Sequence, residues 1–170
     1  LKAGLILVFL SIYGSASAFN VPKIPGIGGC VDVDSLMTAQ EDVVRTLSSS
    51  LRNLSAAQIL MAGALGLKEE AAVAKKLSED LESGDLSGKD DIKKAVSNSL
   101  STQNKINETI AGGAVLTAQS KVEFGKSLLP YGKGSVGMVS TGLKAKAQAE
   151  SVSQTKNPMV LRKISTLLFV

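Results

Sequence analysis

The 170-residue chain has no histidine and no tryptophan, a single cysteine, and only four phenylalanines and two tyrosines. Without histidine there is no imidazole to serve as the base of a Ser-His-Asp or Cys-His site, and none of the commonest metal ligand. Cys30 stands alone, so no disulfide can form within the chain and stability has to come from packing. With so few aromatics the core must be assembled from Leu, Ile, Val, Ala and Met. Such residues suit close helix-on-helix packing, whereas sandwiches and barrels lean on aromatic and β-branched residues along their strands. Enzymes built on paired carboxylates or on Ser-Lys survive these exclusions, but no cluster of residues argues for one. A non-enzymatic protein with no cofactor and no metal is therefore expected.

What is present begins with an address. Lys2 is followed by an uncharged apolar run over residues 3–13, and Ala16-Ser17-Ala18 supplies small residues for a signal peptidase. Residues 1–18 read as a signal peptide cleaved after Ala18, which predicts an exported protein, periplasmic or extracellular. Residues 19–33 combine two prolines and three glycines and read as a flexible tether; Cys30 within it is a candidate for lipidation or for an intermolecular disulfide. Charge is uneven beyond that point. Residues 19–120 carry 10 basic and 13 acidic side chains, and residues 121–170 carry 8 basic and 2 acidic. The basic C-terminal third favours an anionic surface such as lipid headgroups, although its charges are spread out, as on a solvated face; nucleic acid is not an expected partner.

Periodicity predicts an all-α fold, a helical bundle or long helical hairpin, with residues 34–170 as a single helical domain. Thr38-Ala39-Gln40-Glu41 fits a capping box at the start of the first helix. Val43, Leu47, Leu51, Leu54, Met61 and Leu65 then recur at coiled-coil-like intervals and form a candidate interface. Gly66 marks a bend or stop and Gly84 a C-cap, and Ser87-Gly88-Lys89-Asp90 can open a further helix. That helix is expected from residue 90 to about 129, with Gly112-Gly113 as a weak point and Pro130 ending or kinking it. Residues 130–142, with four glycines, read as a loop; residues 144–154 and 159–170 read as helices separated by Asn157-Pro158.

Several motifs invite a functional reading that their context does not support. Gly132, Gly134 and Gly137 have the spacing of a dinucleotide-binding turn, but no strand precedes them and no acidic residue follows at the required distance. The acidic run at residues 85–91 lacks the spacing of a calcium-binding loop. Asn53-Leu54-Ser55 and Asn107-Glu108-Thr109 match the glycosylation sequon inside expected helices. Two uncharged stretches, 54–67 and 109–120, are each too short to span a bilayer and are expected to pack together at the centre of the bundle. The function these features predict is protein-protein interaction or assembly in the cell envelope, through a protein partner or a homo-oligomer. The alternative is a membrane-active or lipid-binding protein that deploys stretches 54–67 and 109–120.

Overall fold

The computed structural model describes residues 33–84 and 89–153. The signal peptide, the tether with Cys30, the Ser87-Gly88 cap and the final helix expected at 159–170 lie outside the described residues. Within them the fold is all-α, as expected: α1 (Val33–Leu65), α2 (Lys68–Ser83), α3 (Lys89–Ala111) and α4 (Ala118–Ser153), with no strand among the described residues.

Helix α1 is the axis on which the other three assemble, because it buries two faces. Leu36, Gln40, Val43, Ser50, Ala57 and Met61 recur at three-, four- or seven-residue spacing and are all buried. This is the heptad alternation of a coiled-coil seam. A second buried row, Leu51, Ser55, Gln58 and Ala62, lies about 100° around the helix from the first. Helix α4 runs antiparallel along the first face, while α2 and α3 form a hairpin on the second.

On the hairpin side, Leu51 packs with Leu77, Leu81 and Ala95, and Leu47 and Val96 close over them. Further along, Met61, Ala62 and Ile106 form a second cluster, covered by Leu65, Leu67, Ile110, Phe124 and Tyr131. Between the two clusters sits a polar layer. Gln58 donates to the Ser99 carbonyl at 2.8 Å, and the Ser99 hydroxyl donates back to Gln58 Oε1 at 3.3 Å. A buried amide satisfied in this way fixes the register of α3 against α1, since sliding either helix would strand it.

The helix ends follow from local chemistry. At the end of α1, Gly66 adopts φ +75°. Its N–H donates to Gly63 O and the Leu67 N–H donates to Ala62 O. Gly113 ends α3 in the same way, with bonds from Gly113 N–H to Ile110 O and from Ala114 N–H to Thr109 O. Both are Schellman closures, which need a residue free to adopt the left-handed conformation. Helix α4 is opened by Thr117, whose hydroxyl oxygen accepts the Ser120 N–H at 3.1 Å.

Four sequence expectations are corrected. Thr38 does not cap α1; it lies inside the helix, and its hydroxyl donates to the Asp34 carbonyl one turn earlier. The helix expected over 90–129 is two helices, because both Gly112-Gly113 and the Thr117 cap act as boundaries. Stretch 109–120 is not a bundle centre: Ile110 reaches the Met61 cluster, but residues 112–117 form the turn between α3 and α4, and residues 118–120 open α4. Finally, residues 130–142 are not a loop. Helix α4 continues through Pro130 and across four glycines, although an interior proline alone costs about 3 kcal/mol.

Contact with α1 explains why α4 persists there. A Cβ on Gly134 would come within 2.7 Å of Leu54 Cγ and 2.9 Å of the Leu54 backbone nitrogen, and one on Gly137 would fall on the Ser50 hydroxyl. The glycines let two helices approach to a separation that side chains would forbid, and the packing gained offsets their poor helix propensity. Gly134→Ala is therefore expected to destabilise the fold by about 1–3 kcal/mol through overpacking. Gly142→Ala, on the same helix with nothing within 4 Å of the added methyl group, should stabilise it by about 0.5–1 kcal/mol. Chemical denaturation of the two variants checks the pair.

Candidate interaction surface

No group of three or more His, Cys, Asp or Glu side chains able to hold a metal comes together among the described residues. A cleft of about 560 Å³ lies between α2 and α3 and is lined by Glu69, Glu70, Asn98, Thr102, Lys105 and their neighbours. It is a solvent-open groove that mixes ionic with neutral polar side chains. Gly132, Gly134 and Gly137 lie on an unbroken helix, so they form no phosphate-binding turn. Among the described residues no helix is long and apolar enough to cross a membrane.

The six residues of the expected seam all lie on α1. Leu51 and Leu47 belong to the cluster with α2 and α3, and Met61 and Leu65 to the cluster around Ile106. Leu54 is the side chain that Gly134 of α4 accommodates, and Val43 is buried. Within the chain, then, these side chains are already covered to a large extent.

Met37, Val73, Leu100 and Val115 are exposed at separate places, but among the described residues the longest row of exposed apolar side chains is on α4. Val122, Gly125, Leu129, Gly132, Val136, Val139 and Leu143 alternate at intervals of three and four, a second heptad seam. At about 100° per residue its centre lies opposite the row Ser127, Gly134, Thr141 and Gln148, all four of which are buried. The outer seam is correspondingly bare: Val122 is 58 % exposed, Leu129 68 %, Val136 72 % and Val139 53 %, with Leu128 beside them at 50 %. Added Cβ atoms at Gly125 and Gly132 would meet nothing within 4 Å. Scattered single apolar residues are ordinary on a surface, whereas a contiguous seam marks a contact site. Lys121, Lys126 and Lys133 flank it, and Lys126 is paired with Glu123 at 2.7 Å.

Polar latches on the inner face hold this seam outward. Lys144 Nζ lies 2.6 Å from Asp42 Oδ2 and donates to Thr46 Oγ1 at 2.9 Å, while Arg45 reaches Asp42 Oδ1 at 2.7 Å. The hydrogen bond from Lys144, followed by that from Arg45, holds the Asp42 carboxyl below its ordinary value of 3.8. Closer to the start of α1, Gln148 Nε2 donates to Gln40 Oε1 at 2.8 Å and lies 3.4 Å from the Leu36 carbonyl. Gln40 Nε2 is buried with no partner. Together the two latches fix which side of α4 faces α1.

The outer seam was hidden from sequence inspection because 130–142 reads as a loop; once α4 is continuous, the three-four spacing from Val122 to Leu143 is the signal that reveals it. No family model, curated protein or solved structure matches the chain.

Two expectations test the latches. Because the folded-state pKa of Asp42 is depressed, its contribution is present at neutral pH and is lost as pH falls below about 4. Lys144→Gln should flatten that acid limb by less than about 1 kcal/mol, since both side chains are more than a third exposed, with urea titrations from pH 7 to 2.5 as the readout. In the buried amide layer, Gln148→Leu alone should cost about 1–3 kcal/mol by leaving Gln40 without its partner, whereas the Gln40→Leu/Gln148→Leu double variant should recover most of that loss. A double-mutant cycle measures it.

Proposed function

We propose that the chain is a non-enzymatic, exported helical protein that acts by docking the outer face of α4 against a partner in the periplasm or outside the cell. The observation that carries this reading is the seam of Val122, Leu129, Val136 and Val139, each more than half exposed on a helix whose other side is fully engaged with α1. Coiled-coil spacing suits a helical partner, which places side chains into the gaps along such a seam. Export rests on the signal-peptide pattern of residues 1–18.

The membrane-active alternative finds some support in Lys121, Lys126 and Lys133, which border the same face and suit an anionic surface. Deployment of stretch 54–67 would require Ser55, Ala57, Met61 and Ala62 to leave the core, so a lipid contact is better served by α4 as it stands. Phe124 and Tyr131, the aromatics of this helix, pack inward against the Met61 cluster, where they cannot anchor an interface.

Size-exclusion chromatography with light scattering on the full chain, with and without mild detergent, tests the reading. Partner-free protein with a bare seam should self-associate or take up detergent, and Leu129→Glu/Val136→Glu should remove either behaviour with helix content unchanged. A wild-type monomer indifferent to detergent contradicts it.

A further inference from the structure

The seam on α4 is complementary to itself. If the Leu129 of one copy is set against Gly132 of a second, antiparallel copy, a two-fold axis passes between residues 130 and 131. The same symmetry then sets Gly125 against Val136 and Val122 against Val139. Each glycine on the seam thus faces a large aliphatic residue, and the two valines at the ends face one another. We infer that α4 forms an isologous, antiparallel homodimer contact in this register, with Leu129 and Val136 of each copy seated in the gaps at Gly132 and Gly125 of the other.

This inference rests on the reading of the outer face of α4 as the contact surface, and adds to it the partner. Three observations favour a second copy over other occupants. The inner face of α4 already uses the same device, with Gly134 receiving Leu54. From the exposures of Val122, Leu128, Leu129, Val136 and Val139, complete burial of these five side chains on both copies removes at most about 1,000 Å² from water, which reaches the lower bound for a specific interface and fits a weak dimer. Glycines at two of the central seam positions are poor choices for holding lipid, yet they are what lets two helices come close.

Charge makes the contact distinguishable from a lipid surface. The pairing brings Lys126 of one copy towards Lys133 of the other on both sides of the axis, and no acidic residue of the seam answers them; Lys126 is held by its own Glu123. Apolar packing has to outweigh this repulsion, so the dimer should tighten with added salt. Binding to anionic lipid would weaken instead.

The test uses the full chain. Sedimentation over a concentration series into the high-micromolar range should show a monomer-dimer equilibrium that shifts towards dimer as salt is raised. Leu129→Glu should give a monomer whose thermal melting matches that of the wild type at dilutions where the wild type is also monomeric. Gly132→Leu should also give a monomer, while its folded state becomes more stable, because the new side chain meets nothing within its own chain and replaces a glycine in a helix. In a Cys30→Ser background, Val122→Cys/Val139→Cys should oxidise to a covalent dimer and Val122→Cys alone should not; a parallel pairing would crosslink through the single variant. Association that survives Leu129→Glu, or equal crosslinking of both cysteine variants, overturns the inference. Monomer that binds anionic vesicles through a Leu129-dependent surface also overturns it, while leaving the outer face of α4 as the contact site. Monomer that binds neither itself nor vesicles defeats both readings.

Discussion

The structure depends on how closely α4 lies on α1. Gly134 and Gly137 admit Leu54 and Ser50 of α1 to a distance at which any Cβ would collide. That approach supports a 36-residue helix that its own sequence resists, with Pro130 inside it and four glycines in the 13 residues from 130 to 142. Local propensity argues for a loop, and tertiary packing overrides it. The surrounding chain reflects the same constraint. The inner row of α4 is made of Ser127, Gly134, Thr141 and Gln148, with no large aliphatic residue among them, and the matching row on α1 includes Ser50 and Ala57.

An interface of small residues gains less from apolar burial than a leucine seam would, so polar contacts supply much of its specificity. Gln148 with Gln40, Lys144 with Asp42 and Thr46, and on the opposite side Gln58 with Ser99, each tie one particular residue of α1 to one of a neighbouring helix. Their value lies in register more than in free energy. Rotation of α4 about its axis would break the first two together and turn the outer seam towards α1. What the latches settle, therefore, is which apolar residues the molecule presents to its surroundings.

Much of this was legible in the sequence, and the parts that were not have physical causes. The all-α fold followed from composition and from the spacing of Val43, Leu47, Leu51 and Leu54, and the stop at Gly66 and the C-cap at Gly84 were readable because each needs a left-handed residue. Thr38 misled because a Thr-x-x-Glu pattern marks a helix start only where the threonine is not already helical, and α1 begins earlier, at Val33. Residues 130–142 misled because proline and glycine report on an isolated chain, and here the deciding contact is with residues some 80 positions earlier. The surface on the outside of α4 could not be seen until that helix was known to be continuous. By contrast, the seam on α1 was easy to see, and the structure shows it largely occupied by the chain's own helices.

Amide hydrogen exchange along α4 tests the central claim most directly. If close packing on α1 sustains an unbroken helix, the backbone amides from Tyr131 to Gln148 should be protected together, with exchange slowed by several orders of magnitude and no gap across the glycines. Exchange of residues 131–142 at the rate of a free peptide, with protection confined to the flanking segments, would contradict the account.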